Sequence, residues 1–435
     1  MRCLSVGENK PDIAWENILR KYDIPAQVKE NGLFEIKASQ IKEFREPRLM
    51  AKWDSSEVLP APLKREKLNI LPLSRKTYAI SSFQLYQPFP DSLDSELTYV
   101  PTKSYETIDF DHLDSESNAI NAMCITGILD NFLGTEIGET VETFNGRMAA
   151  GSFSFEVDLI DGGKERVHVD RPQLEIDGGF ENDDSVIIME AKNVPHPDFH
   201  VRQLYFPYRL WFDKVRKPIR LIFSQYVDSI YHLFEYEFED PYNYSSIKLL
   251  KQRNYTFQSS AITWDDLKDI WNATPPVTDD NRDEADVPFP QADRMANVIT
   301  LMQRLNQVHS MNAMEIADYM EFAPRQSNYY SSAGEYLGLF EHTADGRITL
   351  SAMGKQIMRQ PVRERRLAIV KSMFQHEIFH ALFGRMCETG FIPSKNEVCE
   401  YMKRLNVCER KSTMDRRAST VIGWLKWIAS FIDED

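Results

Sequence analysis

The chain is poor in the residues that would tie it to an extracellular or membrane setting. Its 435 residues include only five cysteines, Cys3, Cys124, Cys387, Cys399 and Cys408, scattered and without a C-x-x-C pair. That usage excludes a disulfide framework and a zinc ribbon, and it points to a reducing compartment, the cytoplasm. No run of about 18 uninterrupted apolar residues occurs, so no membrane span is expected. The segment Met1 to Lys10 lacks the apolar core of a secretory signal. A basic excess is missing as well: 51 Lys and Arg stand against 66 Asp and Glu, a net charge of −15. As a sum, that charge opposes binding to a polyanion.

Its distribution changes the meaning. Residues 101–200 hold 21 acids and 6 bases, whereas 1–100 come to +1, 201–290 to −3 and 291–435 to +2. Carboxylates gathered around a cation would give this pattern, and so would a solvated acidic face. The length suits two or three domains, and 42% apolar with 27% charged residues is ordinary for a soluble globular protein.

Four regions are expected. Residues 1–105 read as a small α/β module with a basic run at Lys64-Arg65-Glu66-Lys67 and Arg75-Lys76. Residues 106–272 carry a helix from Glu116 to Leu133, with Gly134 as its C-cap. Strand-like runs follow at Ser152–Leu159 and Val167–Phe180, with Asp161-Gly162-Gly163-Lys164 as the hairpin turn between them. Val186–Glu190 is apolar throughout, as in a strand buried on both faces. A helix over Phe199–Val215, which Pro207 should kink or end, precedes strands at Ile219–Val227 and Ile230–Phe238. Residues 273–292 form a polar, Pro-rich linker, with Thr274 to Pro288 expected to be exposed and flexible. Residues 293–435 have helical periodicity.

The chemistry is concentrated in Leu174-Glu175-Ile176-Asp177-Gly178-Gly179-Phe180 and Val186-Ile187-Ile188-Met189-Glu190-Ala191-Lys192. These read as neighbouring strands, the first ending in an acid beside a Gly-Gly turn. Strand alternation puts Glu190 and Lys192 on one side. Asp177 and Glu190 offer the hard oxygens that Mg²⁺ prefers, with the Ala191 carbonyl as a third donor. Lys192 is placed to orient a water and to stabilise charge developing on a phosphate.

These residues, with the order helix, three strands, helix, strand, resemble the PD-(D/E)XK nuclease superfamily, type II restriction endonucleases in particular. Ile176 stands where the motif has proline. The resemblance implies an α/β fold with a restriction-endonuclease-like core, a mixed central sheet flanked by helices. It puts Asp177, Glu190 and Lys192 in catalysis and Mg²⁺ as cofactor. Gln203 and Tyr208 fall where some members carry a Gln and Tyr, and Glu116 matches an accessory acid for which Glu139 and Glu142 compete. It further implies a homodimer acting on double-stranded DNA in a restriction-modification pair with a cognate DNA methyltransferase. A repair or recombination nuclease with the same core is the alternative.

The C-terminal region resembles a winged helix. Asn312–Met320 reads as one helix, Pro324 opens a second through Arg325, Gln326, Ser327, Asn328 and Tyr329, and His342–Leu350 reads as a hairpin. The second helix would meet base edges. Helices at Asn396–Leu405 and from Ser412 onward suggest a second unit, with Arg410, Lys411, Arg416 and Arg417 on phosphates. A helical packing module, or a non-catalytic DNA-binding protein, is the competing expectation.

Three further patterns compete. Asp23 with Glu35 and Lys37 repeats the spaced D…E-x-K, but no strand pattern precedes Asp23. His376-Glu377-Ile378-Phe379-His380 matches the H-E-x-x-H of zinc proteases, with Glu388, Glu397 or Glu400 as a third ligand, although the surrounding apolar periodicity is that of a packed helix. His196 and His200 flank Pro197, which disfavours a helical zinc pair.

Overall fold

The computed structural model describes residues 10–90, 97–113, 115–257, 262–277, 287–321, 324–405, 407 and 411–432. The chain is mixed α/β and divides into two units. One comprises residues 1–95, 115–226 and 231–254, and the other 96–114, 227–230 and 255–435.

In the first unit the strands β1 (Val141–Ala149), β2 (Gln173–Glu181), β3 (Val186–Lys192), β4 (Ile219–Val227), β5 (Ile230–Phe238) and β6 (Ile247–Thr256) lie side by side in that order within a seven-stranded mixed sheet. β2 runs antiparallel to both β1 and β3. β3 and β4 are parallel, in register from Val186↔Ile219 to Lys192↔Gln225. A parallel pair needs a crossover, and the helix Arg202–Phe212 supplies it. Leu204, Tyr205, Phe206 and Leu210 of that helix are buried in the sheet's core, which offsets the cost of Pro207 in its interior. The helix therefore starts later than expected and runs through the proline; Asp198–His200 is a short strand instead.

The three strands before the crossover differ from the expectation. Ser152–Asp158 and Lys164–Asp170 form a separate two-stranded hairpin, because the chain breaks at Arg171 (φ 49°) and Pro172 before β2 begins. The strand that takes the edge of the main sheet is β1. It is polar and largely exposed, with β2 as its neighbour, so it carries no buried-strand signature. Gly178-Gly179 is strand rather than turn, and the turn comes at Asn182–Ser185, where Asn182 Oδ1 accepts from the Asp184 and Ser185 amides.

The helix ahead of the sheet is two helices, Glu116–Ile125 and Ile128–Leu133, broken at Gly127 (φ 76°). Gly134 (φ 80°) closes the second, as expected. Its last carbonyls are met by side chains from the sheet: Arg220 Nη1 donates to Leu133 O at 2.9 Å and Lys251 Nζ to Phe132 O. Arg220 is itself fixed by a bidentate pair with Glu235, 2.6 and 2.8 Å.

The N-terminal segment adds a three-stranded antiparallel sheet, with Thr77–Ser81 between Phe34–Lys37 and Asn69–Pro72, packed with helices around Trp15, Ile18, Ile36 and Ile41. Leu71, Leu73, Ala79, Phe83 and Leu85 belong instead to the core of the main sheet, so this segment has its own hydrophobic cluster and also contributes to the sheet's.

The second unit holds helices Met295–Val308, Ala313–Tyr319 and Pro324–Tyr336 with a three-stranded sheet in the order Ser310–Met311, Ile348–Leu350, Phe340–His342. Asn312 caps the middle helix through a reciprocal box with Glu315. Helices Ala352–Met358, Val362–Phe374, Glu377–Thr389, Lys395–Arg404 and Lys411–Ala429 follow. No wing-like hairpin follows the last pair among the described residues. Of the proposed linker, residues 278–286 lie outside the described residues; Thr274 is buried, and Val277 N donates to Gln375 O at 2.7 Å. Among the described residues no helix is long and apolar enough to cross a membrane.

Gly179 shows how tightly β1 is held against β2. A Cβ there would lie 2.3 Å from the Phe144 ring and 2.4 Å from its carbonyl oxygen. We expect Gly179→Ala to cost about 1–3 kcal/mol through overpacking. Urea unfolding would measure it, and an unchanged midpoint would contradict the packing described.

Candidate active site

The site is built where the β2–β3 ladder stops. Residues pair from Glu181↔Val186 to Gly178↔Met189, and the strands then part. In place of the next ladder bond, the Ala191 amide donates to Asp177 Oδ2 at 2.9 Å. That bond fixes Asp177 against the end of β3, where Glu190 and Lys192 project.

Glu190, Lys192, Asp177, Gln203 and Glu116 all line one cleft of about 660 Å³. Lys192 Nζ lies 2.9 Å from Glu190 Oε1 and 3.5 Å from Glu116 Oε1. Gln203, in the first turn of the crossover helix, donates from Nε2 to Glu190 Oε1 at 2.5 Å. Of the three candidate acids, Glu116 is the one that lines the cleft. Glu139 and Glu142 make only local bonds, with Glu136 and Asn145, and do not line the cleft. One expectation is corrected: Tyr208 turns away and stacks on Phe238, ring centroids 5.3 Å apart. Ala191 is buried, and its amide engages Asp177.

Sequence reasoning missed a further acid. Asp54, 7% exposed, belongs to the N-terminal segment and lines the same cleft. Its carboxylate pairs with Lys52 at 3.5 Å and Arg202 at 3.7 Å. The loop around it is stapled to the chain just beyond β3. Asp198 Oδ1 accepts from Ser55 Oγ and Ser56 N, 2.8 Å each, Ser56 Oγ donates to Oδ2, and the His200 amide donates to Asp54 O at 2.9 Å. No periodicity marks Trp53-Asp54-Ser55-Ser56, and no local signal could have found it.

The electrostatics follow from burial. Desolvation pushes the Glu190 carboxyl up to about 8, with Lys192 opposing and Asp177 and Asp54 adding to the rise. Burial pulls Lys192 down, but Glu190, Glu116, Asp177 and Asp54 outweigh it and hold the ammonium well above its ordinary range. Asp54 is likewise opposed by burial, yet Lys52, Lys192 and Arg202 keep it below its ordinary value. Burial, then Arg202, lowers His200 to about 3. Its Nδ1 accepts from the Arg202 amide at 3.2 Å and meets the Tyr244 hydroxyl at 3.1 Å, so the ring is a neutral strut rather than a ligand.

Lys192 is therefore one buried cation among four acids. Gln203 Oε1 is also buried without a hydrogen-bond partner. This donor set, carboxylates and an amide oxygen, suits a hard divalent cation. Among the described residues no three His, Cys, Asp or Glu side chains stand close enough to hold an ion by themselves. Mg²⁺ ordinarily takes one or two carboxylates and fills its shell with water and phosphate oxygens, and the carboxylates here that could serve are Asp177 and Glu190.

The competing patterns separate from this site. Asp23 caps a helix with φ 47°, Glu35 is exposed on Phe34–Lys37, and none of Asp23, Glu35 and Lys37 lines the cleft. H-E-x-x-H fails as a helical pair because His376 is the N-cap of Glu377–Thr389, with φ −91° and ψ 126°. The ring Nε2 atoms sit against backbone carbonyls, His376 on Tyr336 O at 3.0 Å and His380 on Trp271 O at 3.2 Å.

In the second unit, Arg325 and Asn328 are exposed, Gln326 and Tyr329 are half-buried, and the Arg325 guanidinium lies 5.6 Å from the Tyr329 ring centre. Ser327 is fully buried and cannot reach a base edge. Arg416 is exposed, but Arg417 is buried, donates to Val407 O at 2.8 Å and faces Phe289, which removes it from the phosphate contacts. Arg410 and the Lys411 side chain lie outside the described residues.

Three family models match the chain. Residues 12–80 are similar to a domain of unknown function (DUF6996), 81–256 to a domain of unknown function (DUF6997) and 297–433 to a domain of unknown function (DUF7226). No curated protein and no solved structure matches. The cleft draws Arg48, Lys52, Asp54 and Arg75 from the first matched segment and the Asp177 group from the second, so both contribute to one site.

Glu190 gives a pH test. Its folded-state pKa is raised, so between about 4.5 and about 8 the folded protein holds a proton that the unfolded chain releases, and stability falls as pH rises through that window. Glu190→Gln removes the titration. The variant should gain stability relative to the parent from pH 5 to pH 8 in urea unfolding, and parallel pH profiles would refute the assignment.

Proposed function

We propose that the protein is a Mg²⁺-dependent endonuclease that hydrolyses phosphodiester bonds of double-stranded DNA in the manner of a type II restriction enzyme. One observation carries the reading: Asp177, Glu190, Lys192 and Gln203 meet at the β2–β3 divergence and the first turn of the β3–β4 crossover helix. The order helix pair, β1, β2, β3, crossover helix, β4, interrupted by the Ser152–Asp158/Lys164–Asp170 hairpin after β1 and the short strand Asp198–His200 after β3, supports a restriction-endonuclease-like core. The three helices and small sheet from Met295 to Leu350 support a winged-helix reading, with Arg325 and Asn328 offered to DNA.

Asp177 and Glu190 would hold the cation, which when bound polarises a phosphoryl oxygen and lowers the pKa of water. Lys192 orients the attacking water with its ammonium and stabilises charge building on the phosphate. Gln203 fixes the Glu190 carboxyl, and Arg202, lining the cleft beside Asp54, is a phosphate partner. Glu190 must lose its proton to bind a cation, so metal affinity should rise with pH up to about 8. Cutting both strands at one locus calls for two such sites, which favours a homodimer.

Either Asp177→Ala or Lys192→Ala should lower plasmid cleavage in Mg²⁺ by at least about 10²-fold, while duplex binding measured without metal persists. Full cleavage by either variant would refute the catalytic assignment. Discrete digestion bands are expected, and a smear would point instead to a repair-type nuclease.

A further inference from the structure

We propose that Arg48 and Arg75, on the N-terminal wall of the cleft, grip the backbone phosphates of duplex DNA that flank the scissile bond; the inference rests on the endonuclease reading. The Arg48 and Arg75 side chains are exposed, line the cleft and make no ion pair or hydrogen bond among the described residues. Of the other members of the basic run, Lys76 does not line the cleft and the rest are otherwise engaged. Arg65 pairs with Glu16 and Glu66, Lys67 with Asp161, and Lys64 donates to Glu57 O. Two unpaired guanidiniums on one wall of a cleft are open to an anion, and their planar forks suit phosphate.

The wall is also held in place. Asp198 clamps Ser55 and Ser56, Tyr86–Pro88 pairs with Asp198–His200, and Tyr86 Oη donates to Trp53 O at 3.2 Å. Lys52 and Asp54 are thereby set at a fixed place relative to Lys192; the floor carries Glu116, Asp177 and Glu190 around Lys192, and the wall carries Arg48, Lys52 and Arg75 beside Glu46 and Asp54. A small anion would satisfy only one of these surfaces. A phosphodiester chain satisfies both, with one phosphate at the cation-binding floor and its neighbours on the wall. The volume, about 660 Å³, admits a length of backbone rather than a whole duplex.

The test is binding of a labelled DNA duplex in EDTA over a range of KCl concentrations, comparing the parent with Arg48→Ala/Arg75→Ala. A matched control, Lys29→Ala/Lys42→Ala, removes two exposed charges that do not line the cleft. Thermal melts verify that each variant is folded. The cleft variant should bind more weakly, and its slope of log affinity against log salt should be shallower by about 0.9 for each phosphate no longer neutralised, with the control unchanged. Equal slopes for parent and cleft variant, with parental cleavage intact, would overturn this inference and leave the endonuclease reading standing. A parent that neither binds nor cuts DNA would overturn both. Tighter binding of an RNA duplex of the same sequence would overturn the assignment to DNA.

Discussion

The hydrogen bond from the Ala191 amide to Asp177 Oδ2 is the constraint on which the site depends. Antiparallel strands ordinarily continue pairing until a turn or an edge stops them. Here pairing lapses after Gly178↔Met189, and a carboxylate takes the amide that the ladder leaves free. The strands can then diverge without leaving a buried donor unsatisfied. Divergence opens the floor of the cleft, and β3 continues alongside β4 to Lys192↔Gln225. The acid that repairs the sheet is thus also an acid that lines the cleft.

Charge is arranged around that floor at two scales. Residues 101–200 carry a net charge equal to that of the whole chain, yet among the described acids of that segment only Glu116, Glu175, Asp177 and Glu190 line the cleft. Most of the other described acids of that segment are exposed. What raises the Glu190 carboxyl is burial first, and then like charge from Asp177 and Asp54, one of which comes from a segment with no acidic excess. Local desolvation, not bulk composition, sets the protonation of this site.

The parts legible in the sequence are those with a period or a buried signature. β4 and β5 fall at Ile219–Val227 and Ile230–Phe238 as read, and β3 starts at Val186, because long apolar runs have few ways to be satisfied outside a sheet interior. β1 is invisible there because an edge strand half in water is free to be polar. Gly178-Gly179 suggests a turn through glycine's conformational freedom, whereas Phe144's close approach to Gly179 is what the position requires. Asp177, Glu190, Lys192 and Gln203 are legible as a group because one local unit, two strands and a helix, delivers them all. Asp54 is not, since the bonds that deliver it join residues more than a hundred positions apart.

The same contrast explains why a sharper motif is the weaker one. H-E-x-x-H is a statement about one helix face, and it loses its meaning once His376 leaves the helix to cap it and both rings turn to backbone carbonyls. D…E-x-K is looser in spacing but makes fewer demands: it needs only two strand ends and a cause for them to separate. In this chain the cause is supplied by Asp177 itself, and the second wall by the N-terminal segment that Asp198 and His200 hold beside it. A site made in this way cannot be assigned to either matched segment alone, because the strands provide the floor and residues 48–75 provide what faces it.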